Sequence, residues 1–157
     1  YVRSYNRAYL DTVCRRFEKV LKGAAMMTET EVEIIEEKKV DNKIPVLTLN
    51  DLVMKQAEEL HAPQLAPARE KTGSTDFGNV MRRVPGTGAR IAFVDPGAAA
   101  HSQEYIAAGK TDAAHDAVVY GAKILAGTAL ELIEDPELLN RVKTEFKENL
   151  AKENSEV

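Results

Sequence analysis

Residues 1–35 read YVRSYNRAYLDTVCRRFEKVLKGAAMMTETEVEII, and three patterns follow one another along them. Residues 1–5 and 30–35 alternate between the two faces of an extended chain, which is typical of β-strands. Between them, Asn6 is a good helix N-cap and precedes apolar side chains at helical spacing. Strand, amphipathic helix and strand together predict half of a split β-α-β sandwich. The apolar stripe that we expect to face its sheet comprises Leu10, Val13, Cys14, Phe17, Val20, Leu21, Ala24 and Ala25.

A charged run at 36–39, Glu-Glu-Lys-Lys, interrupts this pattern and predicts a domain boundary. Residues 1–37 are then one partial domain, and residues 38–157 belong to a second. Because residues 1–5 have the pattern of a strand already under way, we expect the chain to be the C-terminal part of a longer polypeptide.

The second domain is predicted to combine helices with a buried strand. Residues 89–94 form a short, nearly all-apolar run, which indicates a strand covered on both faces. Asn50, Thr111 and Asp135 are good N-caps, and Pro136 suits the first helical position after the last of them. The predicted fold class of the whole chain is therefore α/β.

Composition excludes several classes of partner. The chain has 21 Lys and Arg against 25 Asp and Glu, a formal charge of −4, and no long basic cluster. Binding to nucleic acid normally requires clustered basic side chains, so we expect no nucleic-acid partner. There is neither an apolar run of the roughly 18–20 residues that span a membrane nor a secretory pattern. We expect a cytoplasmic protein with no membrane partner.

One of the three histidines stands out by its position in the sequence. His101 follows the predicted strand at 89–94, a turn, and the small residues 97–100. Functional groups of α/β folds collect beyond the ends of strands, although an ordinary surface histidine is also consistent with this pattern. His61 is predicted to lie at a helix end and His115 on a helix surface.

A second candidate is the loop Gly73, Ser74, Thr75 and Asp76. Such a loop can offer backbone N–H groups and hydroxyls to an anion. The same residues also suit a capped turn in which Ser74 or Thr75 begins a helix, and the sequence leaves both interpretations open. A catalytic metal needs at least three protein ligands, and no HxH, HxxxH or CxxC spacing is present. The chain alone is therefore not predicted to complete a metal centre.

Taken in order, several segments resemble one enzyme family. Residues 73–80 read GSTDFGNV and are followed by Val84-Pro85, and residues 96–102 read PGAAAHS. Together with the strand–helix–strand pattern at the start and the predicted helix pair at the end, they resemble the zinc-dependent aminoacylase and carboxypeptidase family. The resemblance is greatest to its aminobenzoyl-glutamate hydrolase-like amidohydrolase branch, and it covers nearly the whole chain.

The resemblance implies a particular enzyme. Its catalytic domain is mixed α/β with an inserted ferredoxin-like lid, and this chain corresponds to the second half of the lid and the C-terminal part of the catalytic domain. Two divalent metal ions, typically zinc, activate water for attack on an amide. The implied substrates are N-acyl or aminobenzoyl amino acids and small dipeptides, and the lid mediates a homodimer.

Site residues are implied one by one. His101 matches the last metal ligand of the family, and Gly73, Ser74, Thr75 and Asp76 match a loop that faces the acidic end of the substrate. The other ligands and the catalytic base lie upstream of this chain in the family, so no catalytic residue is assigned to it. We expect the isolated chain to be inactive and to depend on the N-terminal part of the polypeptide or on a partner chain. The alternative is a non-catalytic subunit or interaction module derived from the same family.

Overall fold

The computed structural model describes residues 1–67 and 73–155, which contain six α-helices. The helices are α1 (Arg7–Met27), α2 (Leu47–Glu59), α3 (Phe77–Met81), α4 (Gln103–Ala108), α5 (Asp112–Glu134) and α6 (Pro136–Ser155). None of these helices has both the length and the apolarity needed to cross a membrane.

The predicted α/β fold is wrong for the described part of the chain, since no β-strand forms there. Residues 1–5, 30–35 and 89–94 have no sheet pairing. The β-α-β half of a lid and the sheet of a mixed α/β catalytic domain are therefore both missing from it. Alternation describes which way side chains point, whereas a strand also needs hydrogen bonds from a neighbouring strand. The three segments find no such neighbour among the described residues.

The described chain divides into two compact units. The first contains residues 1–45, 73–86 and 145–155, and the second contains residues 46–67 and 87–144. Helix α6 contributes residues to both. The domain boundary expected after residue 37 stays a prediction.

In the first unit, α1 begins where the sequence predicts. The side chain of Asn6 accepts a hydrogen bond from the backbone N–H of Tyr9 at 2.8 Å and so caps the helix. The predicted packing of α1 is wrong, because none of its residues is buried. Phe17 is 47% exposed and Val20 is 64% exposed, so the apolar stripe has no sheet to cover it.

A polar network ties distant segments of the first unit together. The guanidinium of Arg7 pairs with Asp41 at 2.9 Å and with Asp11 at 3.0 Å. The backbone N–H of Arg7 donates to the Glu153 carboxylate at 3.2 Å, and Arg82 lies 3.8 Å from the same carboxylate. The network therefore joins the start of α1, the end of α3 and the end of α6.

In the second unit, α2 packs against α5. Val53, Ala57 and Ile124 form a buried cluster, and the hydroxyl of Tyr120 donates to the carbonyl of Ala57 at 2.9 Å. At the edge of this interface, Glu131 accepts hydrogen bonds from the side chains of Lys55 and Gln56 at 2.7 and 2.9 Å. The bond to Glu131 raises the pKa of Lys55.

Three of the predicted helix starts lie in the second unit. The Thr111 side chain accepts from the backbone N–H of Ala114, which confirms the cap of α5. The Asp135 carboxylate accepts from the N–H groups of Glu137 and Leu138 at 3.0 and 2.9 Å, which confirms the cap before Pro136. Helix α2 instead begins at Leu47, three residues before the predicted cap.

The end of α2 yields a stability prediction. His61 has a φ of 58°, and the N–H of Ala62 donates to the carbonyl of Ala57, which is the hydrogen bond of a Schellman C-cap. Because glycine adopts this left-handed conformation without steric cost, His61→Gly is expected to raise the free energy of unfolding by about 1 kcal/mol. Thermal unfolding of the protein measures the change.

The same substitution inside a helix is the matched control. His115 lies within α5, where His115→Gly is expected to lower stability by roughly 0.5–1 kcal/mol. Equal effects of the two variants would contradict the C-cap role of His61.

Candidate functional site

The chain reverses direction just before His101. The N–H of Ala98 donates to the carbonyl of Asp95 at 3.1 Å, closing a turn with Pro96 at its second position. Gly97 has a φ of 102°, which a type II turn requires at its third position. The turn predicted before His101 therefore forms, although the segment before it is not a strand.

His101 itself has a left-handed backbone, with a φ of 65°. Histidine is among the few residue types other than glycine that are enriched in this conformation, and such positions are concentrated at functional sites. The side chain is exposed, and among the described residues its imidazole has no hydrogen-bond partner. The imidazole is therefore free to accept a ligand.

An open depression of about 630 Å³ surrounds this imidazole. The lining residues are Arg90, Ile91, Ala100, His101, Ser102, Tyr105 and Ile106. One cation, one imidazole, a phenol and aliphatic side chains thus share a single concave surface within the second unit. A pocket with apolar walls and a few polar groups is the usual form of a small-molecule site.

Short helix α4 fixes one wall of the depression. The Ser102 hydroxyl accepts from the N–H of Tyr105 at 3.2 Å and caps α4. The Tyr105 ring meets Phe93 edge to face, with 5.0 Å between centroids. The backbone N–H of Glu104 and the hydroxyl of Ser102 lower the pKa of the Glu104 carboxyl, so α4 carries a negative charge in its first turn.

The Gly-Ser-Thr loop belongs to the first unit. The hydroxyl of Thr75 accepts from the N–H of Phe77 at 3.2 Å. The residue at the N-cap of α3 is Asp76, whose side chain makes no cap bond. Ser74 accepts from the guanidinium of Arg3 at 3.2 Å, and Asp76 pairs with Lys38 at 3.4 Å. Two basic side chains therefore contact this loop, while nothing lies within 4 Å of a side chain added at Gly73.

The two predicted parts of the site thus fall in different units, with residues 73–76 in the first and His101 in the second. Their roles in substrate and metal binding stay predictions. His61 is the residue that ends α2, and His115 lies exposed on α5, as the sequence predicts for each. Sequence reasoning missed Arg90, whose only signal is that it is the one charged side chain within the nearly all-apolar run at 89–94.

The described residues fit one metal ligand and no complete centre. Across residues 1–67 and 73–155, no three His, Cys, Asp or Glu side chains lie close enough together to hold a metal ion. The exposed and unpartnered imidazole of His101 suits a single ligand, since zinc binds the free nitrogen of a neutral imidazole. A centre with three protein ligands would need at least one of them from outside the described residues.

Comparison with known proteins points to peptidases. The chain is 32% identical over 157 residues to a Mus musculus protein named Xaa-Arg dipeptidase, an alignment that covers 98% of this chain and 36% of the mouse protein. It is 39% identical over 82 residues to a Homo sapiens protein of the same name, covering 52% of this chain and 19% of the human protein. The similarity supports a relationship with a peptidase family. No family model matches the chain, and no specific branch follows from these comparisons.

The alignments cover only part of the length of each relative. The chain spans about a third of the length of the mouse protein, and the human alignment covers less of its relative. The chain therefore corresponds to only part of a whole dipeptidase.

Proposed function

We propose that this chain forms part of a metal-dependent amidohydrolase that cleaves small dipeptides or N-acyl amino acids. The observation that carries the proposal is the similarity to a Mus musculus dipeptidase over 98% of the chain. The exposed imidazole of His101 in a concave surface agrees with it.

His101 is the residue that we assign to a metal ion, since zinc binds the free nitrogen of an imidazole. When bound, zinc supplies Lewis-acid polarisation of the amide carbonyl and activation of water. The turn at Asp95–Ala98 and the cap at Ser102 hold the backbone on both sides of His101, which limits the positions that its imidazole can reach.

The loop at 73–76 is proposed to contact the substrate. The Thr75 hydroxyl already accepts from the N–H of Phe77. The Ser74 hydroxyl accepts from Arg3 and keeps its own proton to donate to a ligand. Asp76 is already paired with Lys38, and we assign it to ordering the loop.

The substrate class can be tested with the full-length protein. The relatives are named for dipeptides whose second residue is arginine, so alanyl-arginine is the first substrate, with N-acetylalanine and aminobenzoyl-glutamate beside it. We expect at least one of the three to be hydrolysed, with activity lost on chelation and restored by zinc. Mass spectrometry of the products and the bound metal per chain are the measurements.

Two controls make this test specific. The 157-residue chain alone is expected to show no turnover, because it supplies one proposed ligand where a catalytic zinc needs three. If the metal-loaded full-length protein cleaves none of the three substrates, the hydrolase assignment is wrong. Turnover by the isolated chain would instead show that the chain holds a complete site.

The exposed stripe of α1 favours one alternative function, a non-catalytic interaction module. Phe17, Val20, Met26 and Met27 are all at least 47% exposed, and such a surface is a candidate for homodimer contact. Sedimentation of the full-length protein with Val20→Glu against wild type discriminates the cases. A wild-type dimer that Val20→Glu separates, in a protein that hydrolyses none of the three substrates, supports the interaction module. Hydrolysis by wild type supports the enzyme.

A further inference from the structure

Two aromatic rings meet across the ends of the loop that carries His101. Phe93 lies just before residues 94–104 and Tyr105 just after them, and the two ring centroids are 5.0 Å apart in an edge-to-face arrangement. Aromatic pairs in this arrangement add stability beyond the apolar area that they bury. This pair, which we call the ring clasp, therefore holds the two ends of the loop together.

The Phe93 side of the ring clasp is anchored to the core of the second unit. Ile91, two residues earlier, packs against the buried cluster formed by α2 and α5. A side chain added at Gly121 of α5 would lie 3.0 Å from the Cδ1 atom of Ile91, so the two elements are in close contact. The segment at 91–93 is therefore a fixed support for the loop that follows it.

The hydrogen bonds of the loop are local and do not provide a second anchor. A turn holds Ala98 and a helix cap holds Ser102, and both use partners within the loop or in α4. In the part of the chain that the structure describes, no hydrogen bond or ion pair joins residues 94–104 to any element other than this loop and α4. The ring clasp therefore ties the loop to the core where hydrogen bonds do not.

The position of the loop matters for metal binding because His101 is part of it. Residues that hold a metal ligand in place contribute to metal affinity although they do not touch the metal ion. We propose that Tyr105 is a positioning residue for the metal ion bound by His101 and that it acts through its ring. The hydroxyl of Tyr105 makes no hydrogen bond with a described residue, which agrees with a role for the ring alone. This inference rests on the proposed function, since it concerns the metal ion of that same site.

The competing role for Tyr105 is direct contact with the substrate. Its side chain lines the depression and the residue is 36% exposed, so the phenol is accessible from solution. Tyr105→Phe separates the two roles, because phenylalanine keeps the ring clasp and lacks the hydroxyl. Zinc affinity measured without substrate separates them further, since a substrate contact does not act in that measurement.

The test measures the zinc affinity of the full-length protein by competition with a chelator. In Tyr105→Ala we expect the affinity for the ion bound by His101 to fall about 2- to 10-fold, which corresponds to the stabilisation by one aromatic pair. Tyr105→Phe should retain the wild-type affinity. Phe93→Leu should lower the affinity as Tyr105→Ala does, and the double variant should show no further fall, because both changes remove the same contact.

Two controls exclude a general effect on the fold. Tyr9→Ala removes a tyrosine that is 50% exposed on α1 in the first unit, and it should leave zinc affinity unchanged. Thermal unfolding of each metal-free variant reports stability separately from zinc affinity. An unchanged zinc affinity in Tyr105→Ala, with or without a lower Tm, overturns the inference. A loss of affinity in Tyr105→Phe as large as that in Tyr105→Ala overturns it too, since the effect would then belong to the hydroxyl.

The outcomes also separate this inference from the proposed function. If wild type binds zinc and hydrolyses none of the three substrates, the hydrolase assignment fails, and the affinity comparison still decides the role of Tyr105. If wild type hydrolyses a substrate and Tyr105→Ala keeps its zinc affinity, only the inference fails. A wild type that binds no zinc contradicts both.

Discussion

Under the proposed two-metal function, His101→Ala in the full-length protein is expected to remove one of the two metal ions and to lower kcat/KM by about 100-fold or more. Mutation of a residue that hydrogen-bonds to a metal ligand typically lowers metal affinity or activity about 10- to 100-fold. Loss of the ligand itself should lower them at least as much. Metal analysis of the purified variant gives the stoichiometry, and steady-state kinetics on the best dipeptide gives the rate.

Backbone strain has to be separated from loss of the imidazole. His101 has a φ of 65°, where alanine is strained and asparagine is tolerated. His101→Asn therefore keeps the left-handed backbone and removes the zinc-binding ring, and it is expected to match the alanine variant in metal content.

The control for a general histidine effect is His115→Ala, since His115 is exposed on α5 and is assigned no metal. Full retention of both ions by the His101 variants would remove this residue from the metal site. Loss of an ion in His115→Ala would move the site elsewhere.

Helix starts were predictable because the chemistry of a cap is local. Asn6, Thr111 and Asp135 each accept a hydrogen bond from an N–H within three residues. The side chain that caps a helix and the N–H group that it accepts from are only two or three residues apart, so a short stretch of sequence is enough to predict the cap. The start of α2 was placed too late because Val46 precedes it and makes no side-chain cap bond.

Strands were not predictable in the same way. The alternation in 30–35 is real, yet Ile34 is 42% exposed and Ile35 is 74% exposed, with no partner strand among the described residues. Pairing between strands depends on residues far away in the sequence, and periodicity carries no information about whether they are available.

The candidate site stays a prediction. His101 was singled out because it follows a predicted strand, and that strand does not form, although the His101 side chain is exposed. The place of Arg90 in the depression was not predictable. A single basic residue in the sequence does not indicate that folding will bring it into the same depression as His101.

Gly78→Ala is expected to destabilise the first unit by about 3 kcal/mol, at the upper end of the usual cost of overpacking a core. Gly78 is buried in α3, and a methyl group there would lie well inside contact distance of the Asp41 carbonyl oxygen and 3.3 Å from the carbonyl carbon of Asn42. Both neighbours are backbone, so neither can rotate away as a flexible side chain would. Thermal unfolding of the full-length protein should show a fall of roughly 10 °C in the transition that reports this unit.

Gly73→Ala is the matched control, since it makes the same change five residues earlier with nothing within 4 Å of the new methyl group. Its effect on stability should stay within about 0.5 kcal/mol. Because Asp41 also pairs with Arg7 and donates its N–H to Asn79, displacing it in Gly78→Ala should loosen the start of α1 as well as α3. Hydrogen exchange should therefore report faster opening at both helices, and an unchanged Tm in Gly78→Ala would show that α3 does not pack against residues 41–42 as described.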